Sequence, residues 1–259
     1  MELMLSGRRL AFDVGEGHGV PLVFLHAFPF DRRFFADAAQ RLSARARTVV
    51  PDLRGFGASD LGGAFALTDL ADDVAAVLDQ LGIERAVVAG ISMGGYVALA
   101  FADRHPQRLL GLVLCDTKAG PDTAEARSAR GEAIALVRSE GVAAYVDKQL
   151  PRLLAASAPA ALQAHVRALA AQRPDAVVAG LEALRDRPDR RPELARIRCP
   201  TLVVVGAEDV LTPPAEAAAM TTAITNAVLI ELPGVGHLAN LEAPLEFAQA
   251  VAGFVGRTT

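Results

Sequence analysis

Short runs that are apolar at successive positions, separated by segments with helical periodicity, constrain this chain most. Pro21–His26 (PLVFLH), Thr48–Pro51, Ala86–Gly90 (AVVAG), Leu109–Asp116 (LLGLVLCD), Thr201–Gly206 (TLVVVG) and Asn226–Leu232 read as strands. Continuous apolarity, in place of strict alternation, marks parallel strands covered on both faces. Amphipathic helices fill the intervals. In Thr68–Leu81, Leu70, Val74, Val77, Leu78 and Leu81 recur at helical spacing, and Asp69, Asp72 and Asp73 are expected to load the first turn, where the helix dipole favours anions. Further helices are expected at Gly95–His105, Pro213–Thr222 and Pro244–Val255, with Thr212 capping the second and Pro213 at its first position. Repeated strand–helix alternation predicts a mostly parallel sheet flanked by helices on both sides.

One stretch breaks the alternation. From Lys118 to Pro192 only helical patterns occur, punctuated by Gly120-Pro121, Gly141, Pro151, Pro159, Pro174 and Pro188. Residues 118–192 therefore read as a helical lid inserted between two core strands, within one domain spanning 1–259. Such a lid would lie over the C-terminal edge of the sheet, where open α/β sheets place their ligands.

Composition removes several function classes. The formal net charge is −4, so no basic surface points to nucleic acid. No uninterrupted apolar run approaches the ~18 residues a membrane helix needs; the stretch Leu109–Cys115 is seven long. The opening residues Met1–Arg9 carry no basic segment followed by an apolar stretch, so the expectation is a cytoplasmic protein with no membrane partner. Cys115 and Cys199 lie beside strongly apolar runs and read as buried free thiols.

The chemistry concentrates at Gly90-Ile91-Ser92-Met93-Gly94-Gly95, set between the strand AVVAG and the helical pattern YVALAFADRH. This is G-x-S-x-G in the strand–turn–helix context the motif requires. The tight turn strains the serine, glycines on either side let strand and helix approach, and the Met93 amide opens the helix toward a developing oxyanion.

These residues bring in a resemblance that spans nearly the whole chain. The sequence resembles the α/β-hydrolase family, in the branch of serine carboxylesterases, 3-oxoadipate enol-lactonases and cofactor-free haloperoxidases. Gly90–Gly94 looks like the nucleophile elbow, with Ser92 as nucleophile. His26-Ala27-Phe28-Pro29 resembles the family's His-Gly-x-Pro oxyanion segment, with Ala27 in place of the usual glycine, and makes the Phe28 amide the second oxyanion donor beside that of Met93. Asp52–Asp60 looks like the family's structural loop. Gly206–Asp209 resembles the segment carrying the triad acid, and Gly236-His237 the one carrying the base. The resemblance implies an α/β-hydrolase fold with the lid inserted after the sixth core strand.

A serine hydroxyl needs a base to take its proton. Of the five histidines, His237 follows the loop Pro233–Gly236, which can carry an imidazole over the sheet. His18 lies in a glycine-rich turn joining two early strands, His26 is expected to brace the oxyanion segment, and His105 and His165 have no partner motif. Two residues compete as the acid. Asp209 follows the strand TLVVVG and is favoured; Asp116 ends the strand LLGLVLCD and is the alternative. Asp52, Arg54 and Asp60 read as structural, with Arg54 pairing one of those carboxylates.

The leading expectation is hydrolysis of a carboxylic ester or lactone, a small-molecule substrate, through an acyl-enzyme. Perhydrolysis and carbon–carbon bond hydrolysis could use the same triad, and an idle fold acting as a ligand receptor is the non-enzymatic alternative. No cluster has metal-ligand spacing and no phosphate loop occurs, so neither metal nor cofactor is expected. Phe28, Phe30, Met93 and Tyr145 are the expected substrate contacts, with Leu136, Val137, Val146 and Leu150 completing an apolar pocket under the lid. No basic cluster for phosphate or acyl-CoA is legible in 118–192, and the sequence leaves the oligomeric state open.

Overall fold

Eight strands form a single sheet, β1 (Glu2–Leu5), β2 (Arg8–Val14), β3 (Val20–Leu25), β4 (Ala46–Pro51), β5 (Ala86–Ile91), β6 (Leu109–Cys115), β7 (Thr201–Gly206) and β8 (Ala227–Leu232). The computed structural model describes residues 1–258. The order across the sheet is β1-β2-β4-β3-β5-β6-β7-β8. β1 and β2 pair antiparallel with each other, and β2 antiparallel with β4; every other neighbour is parallel. All residues of β5 and β7 are buried, as their unbroken apolarity predicts. The expected strand positions hold to within two residues. No range is read from the sequence for β1 or β2; β1 is a four-residue edge strand whose residues alternate exposed and half-buried, too short for a periodic signal.

The helices are α1 (Ala36–Leu42), α2 (Leu67–Gln80), α3 (Met93–Arg104), α4 (Ala124–Glu140), α5 (Val142–Leu153), α6 (Ala160–Leu169), α7 (Pro174–Arg185), α8 (Pro214–Ala223), α9 (Ala239–Glu242) and α10 (Pro244–Val255). α1 packs on α10 and α2 on α3, clothing the sheet. None of the described helices is long and apolar enough to cross a membrane. α2 buries Leu70, Val74, Val77 and Leu78 on one stripe, each contributing about 1.5–3 kcal/mol on leaving water. Between β6 and β7 come α4–α7 and a 3-10 segment at Arg191–Arg196, with no strand among the described residues. α4 packs against α5 and α7, and α5 against α6.

Two local expectations are corrected. α2 begins at Leu67, so Asp69 alone lies in its first turn, where its carboxylate accepts the Ala66 amide. Asp72 and Asp73 fall a turn later; Asp72 binds Arg104 and His105, and Asp73 binds Arg54. α8 begins at Pro214 with no side-chain cap, because the Thr212 hydroxyl is directed to Asp209 instead.

Candidate active site

The turn from β5 into α3 explains its own glycines. Ser92 sits at φ 53°, ψ −113°, in the positive-φ region that costs a residue with a Cβ of order 1–3 kcal/mol. A Cβ on Gly90 would collide with the Gly94 backbone, and one on Gly94 with the Leu25 carbonyl at the end of β3. Only glycine at both places lets the helix begin this close to the sheet. The strained serine is pinned on three sides. Its amide donates to Cys115 O (3.0 Å), and its carbonyl accepts from Tyr96 N (3.1 Å) and the Thr117 hydroxyl (2.9 Å).

Three loops from the same sheet edge converge on that serine. His237 Nε2 lies 2.8 Å from Ser92 Oγ, and His237 Nδ1 lies 2.8 Å from Asp209 Oδ2. Asp209 Oδ2 also accepts from the Thr212 hydroxyl (2.6 Å), while Oδ1 accepts the amides of Leu211 and Thr212 at 2.8 and 3.0 Å. Burial opposes ionisation of Asp209, yet the bonds from His237 and Thr212 outweigh it and hold the carboxyl below the usual range. An ionised Asp209 requires a proton on Nδ1, which leaves Nε2 free to accept the serine proton.

Asp116, the alternative acid, is engaged elsewhere. It ends β6 at φ 44° with Oδ1 accepting the Gly206 amide (2.9 Å) and Oδ2 accepting the Ala239 amide (3.1 Å) and the Cys115 thiol (3.2 Å). It therefore ties β6 to the loops carrying Asp209 and His237. Burial raises its pKa to about 7.

Glu242 escaped the sequence reading. Its carboxylate accepts the amides of Gly236, Leu238 and Ala155, so it grips the base loop and the end of the α5 segment together. A carboxylate five residues after the candidate base, just before the Pro244 helix start, is the signal that could have found it.

His26 braces, as expected. Its Nδ1 donates to Ala27 O (3.0 Å) and its Nε2 accepts the Leu53 amide (3.0 Å), and burial lowers its pKa, keeping the ring neutral. The Met93 amide stands at the first position of α3, where no preceding turn supplies an acceptor.

A cavity of about 360 Å³ opens over Ser92 and His237, bounded by Phe28, Tyr96, Tyr145 and Leu153. Phe28 and Tyr145 thus reach it. Phe30 does not: it is fully buried and stacks on Phe34 at 4.8 Å. The Met93 side chain is likewise buried in the core, and Leu136, Val137 and Leu150 face elsewhere, leaving Val146 alone of that stripe on the wall. The wall is also less apolar than expected. Lys118, Asp122, Glu125, Arg130, Gln149 and Arg152 line it, so cations far apart in sequence meet where no basic cluster was legible.

The remaining polar expectations resolve into structure. Arg54 pairs with Asp73, Asp52 with Arg32, and Asp60 with Arg9; the expected pairing of Arg54 within its own loop does not form. His105 has a partner after all, Asp72 at 2.8 Å. Both cysteines are free thiols, Cys115 buried and Cys199 only half-buried. No group of three or more His, Cys, Asp or Glu able to hold a metal exists among the described residues.

Comparison with known proteins agrees with this architecture. An esterase from Thermogutta terrifontis superposes with a TM-score of 0.95 at 35% identity, over 100% of this chain and 98% of that one. The enol-lactonase from Burkholderia xenovorans LB400 gives 0.92 at 29% identity, over 99% and 100%. The 3-oxoadipate enol-lactonase 2 of Acinetobacter baylyi is 32% identical, over 80% of this chain and 77% of that protein. Residues 22–250 match the model of the alpha/beta hydrolase family. With most of its length matched and its fold shared throughout, the chain belongs to the α/β-hydrolase family.

Proposed function

We propose that the chain is a serine hydrolase that cleaves a small carboxylic ester or lactone through an acyl-enzyme. The observation that carries this reading is the line from Ser92 Oγ to His237 Nε2 and, across the ring, from His237 Nδ1 to Asp209 Oδ2, each hydrogen bond 2.8 Å. Ser92 attacks the substrate carbonyl as His237 takes its proton. Asp209 holds the ring in the required tautomer and stabilises the imidazolium that forms. The amides of Met93 and Phe28 receive the oxyanion. His237 then returns the proton to the departing alkoxide, and water repeats the sequence to release the acid. Similarity to proteins named esterase and enol-lactonase supports ester or lactone chemistry. The segment 118–192 acts as a lid that roofs the cavity.

The test is covalent labelling. A fluorophosphonate probe should modify Ser92, and Ser92→Ala should abolish labelling and lower kcat on p-nitrophenyl esters by on the order of 10⁶. Retention of most of the esterase rate by the variant would exclude this assignment, and an unreactive wild type would favour a ligand receptor.

A further inference from the structure

The cavity over Ser92 holds more positive charge than ester hydrolysis needs. Asp122 and Arg187 are both buried and paired at 2.6 Å, so they cancel. Arg130 reaches Asp122 only through Nε (3.2 Å), and its two terminal nitrogens bind no protein group among the described residues. Lys118 and Arg152 line the cavity with no ion-pair partner among the described residues. Lys118, Arg130 and Arg152 therefore stand against Glu125 alone. Glu125 is exposed in the first turn of α4, where its own amide and Thr123 hold its pKa down. Two phenols add to the set. Tyr96 and Tyr145 line the cavity, and neither hydroxyl has a hydrogen-bond partner among the described residues. Both phenols line the same cavity as Arg130 and Arg152.

Resting on the reading of Ser92 as nucleophile, we propose that the substrate carries a carboxylate at the end remote from its scissile bond, held by Lys118, Arg130 and Arg152. Ser92 and His237 come from the sheet edge, whereas Arg130 and Arg152 come from α4 and α5, so the ends of one bound molecule meet the two sets separately. A modest excess of charge on three long side chains suits a single carboxylate, for which arginine forks and phenol hydroxyls are matched donors. The cavity of about 360 Å³ lies near the lower end of the range for small-molecule sites, so the substrate is small. The Asp122–Arg187 pair serves as the buried post against which Arg130 is set.

The experiment compares monomethyl glutarate, an anion, with dimethyl glutarate and methyl pentanoate, which are neutral. For the wild type, kcat/KM should favour the anion by roughly tenfold or more at low ionic strength, and the preference should shrink as salt screens the partly exposed cations. The Lys118→Gln/Arg152→Gln double variant, at sites without structural partners, should bring the ratio toward one. Arg167→Gln, on α6 and paired with Asp147, should leave it unchanged. A wild type that favours the neutral esters, or a ratio untouched by the double variant, overturns the proposal while fluorophosphonate labelling of Ser92 keeps the hydrolase reading intact. If neither labelling nor turnover occurs, that reading falls and the proposal falls with it.

Discussion

Glu242 holds the backbone on both sides of His237, its Oε1 accepting the amides of Gly236 (3.1 Å) and Leu238 (3.2 Å). Its Oε2 accepts the Ala155 amide at 2.7 Å, and the His237 amide donates to Leu153 O at 3.2 Å. The candidate base is thus fixed to the α5 segment as firmly as to the sheet. In Glu242→Gln one acceptor oxygen becomes an amide donor facing backbone N–H groups, and the loop must shift. A displaced general base loses alignment with the nucleophile, so kcat should fall roughly tenfold to a hundredfold with KM little changed. Steady-state kinetics on a p-nitrophenyl ester, with a melting curve to show the fold persists, would test this; a wild-type kcat would refute it.

The two carboxylates near His237 should separate cleanly. Asp209→Asn removes the group that fixes the imidazole tautomer, and kcat should drop by on the order of 10³–10⁴. Asp116→Asn leaves the Asp209–His237 bond in place and should lower kcat by roughly tenfold at most, through the loops it ties. Parallel kcat measurements decide the matter, and a larger loss at position 116 would exchange the two roles.

The buried Asp122–Arg187 pair is expected to matter for stability. Both side chains are almost fully buried, and Arg187 also lies 4.4 Å over the Tyr96 ring. Asp122→Ala leaves a buried cation without its partner, a loss of about 3–5 kcal/mol. For a chain of this length that is a fall in Tm of roughly 6–15 °C. Asp122→Leu/Arg187→Leu should recover much of the loss, since no lone charge remains. Calorimetry on both variants tests the pair; equal melting of Asp122→Ala and wild type would show that it contributes nothing.

How far the sequence reaches is visible residue by residue. The runs AVVAG and TLVVVG became fully buried parallel strands, because a period-free apolar run has few other stable uses. Ser92, Asp209 and His237 were legible because each sits in a short local pattern. What stayed hidden depends on tertiary approach. Lys118, Arg130 and Arg152 look like scattered surface charges until the fold brings them to the wall of one cavity. Phe30 and Met93 flank the right backbone, yet their side chains leave in the opposite direction, which no spacing rule reports. Glu242 makes only backbone contacts, and such contacts have no residue-type signature at the other end.

Asp209 and Asp116 act on stability with opposite sign as pH changes. Asp209 has a folded pKa lowered from the ordinary 3.8, so its stabilisation is present above that unfolded value and fades as pH falls through the folded one. Asp116 is fully buried, and that burial lifts its pKa to about 7 against an unfolded 3.8. Between those values the folded state keeps a proton that the unfolded state has released, so rising pH destabilises the fold by up to about 1.4 kcal/mol per unit. The groups facing Asp116 are His237, Asp209, the Cys115 thiol and the amides of Gly206 and Ala239. Only Asp116 itself disappears in Asp116→Asn, so the variant's Tm minus that of the wild type isolates its titration. That difference should climb from pH 4.5 toward 7 and level off above it, the variant gaining because the unfolded wild type has released a proton that the folded Asp116 retains. A difference that stays flat across the range would mean that Asp116 keeps an ordinary carboxylate pKa and that its three donors offset the cost of burial.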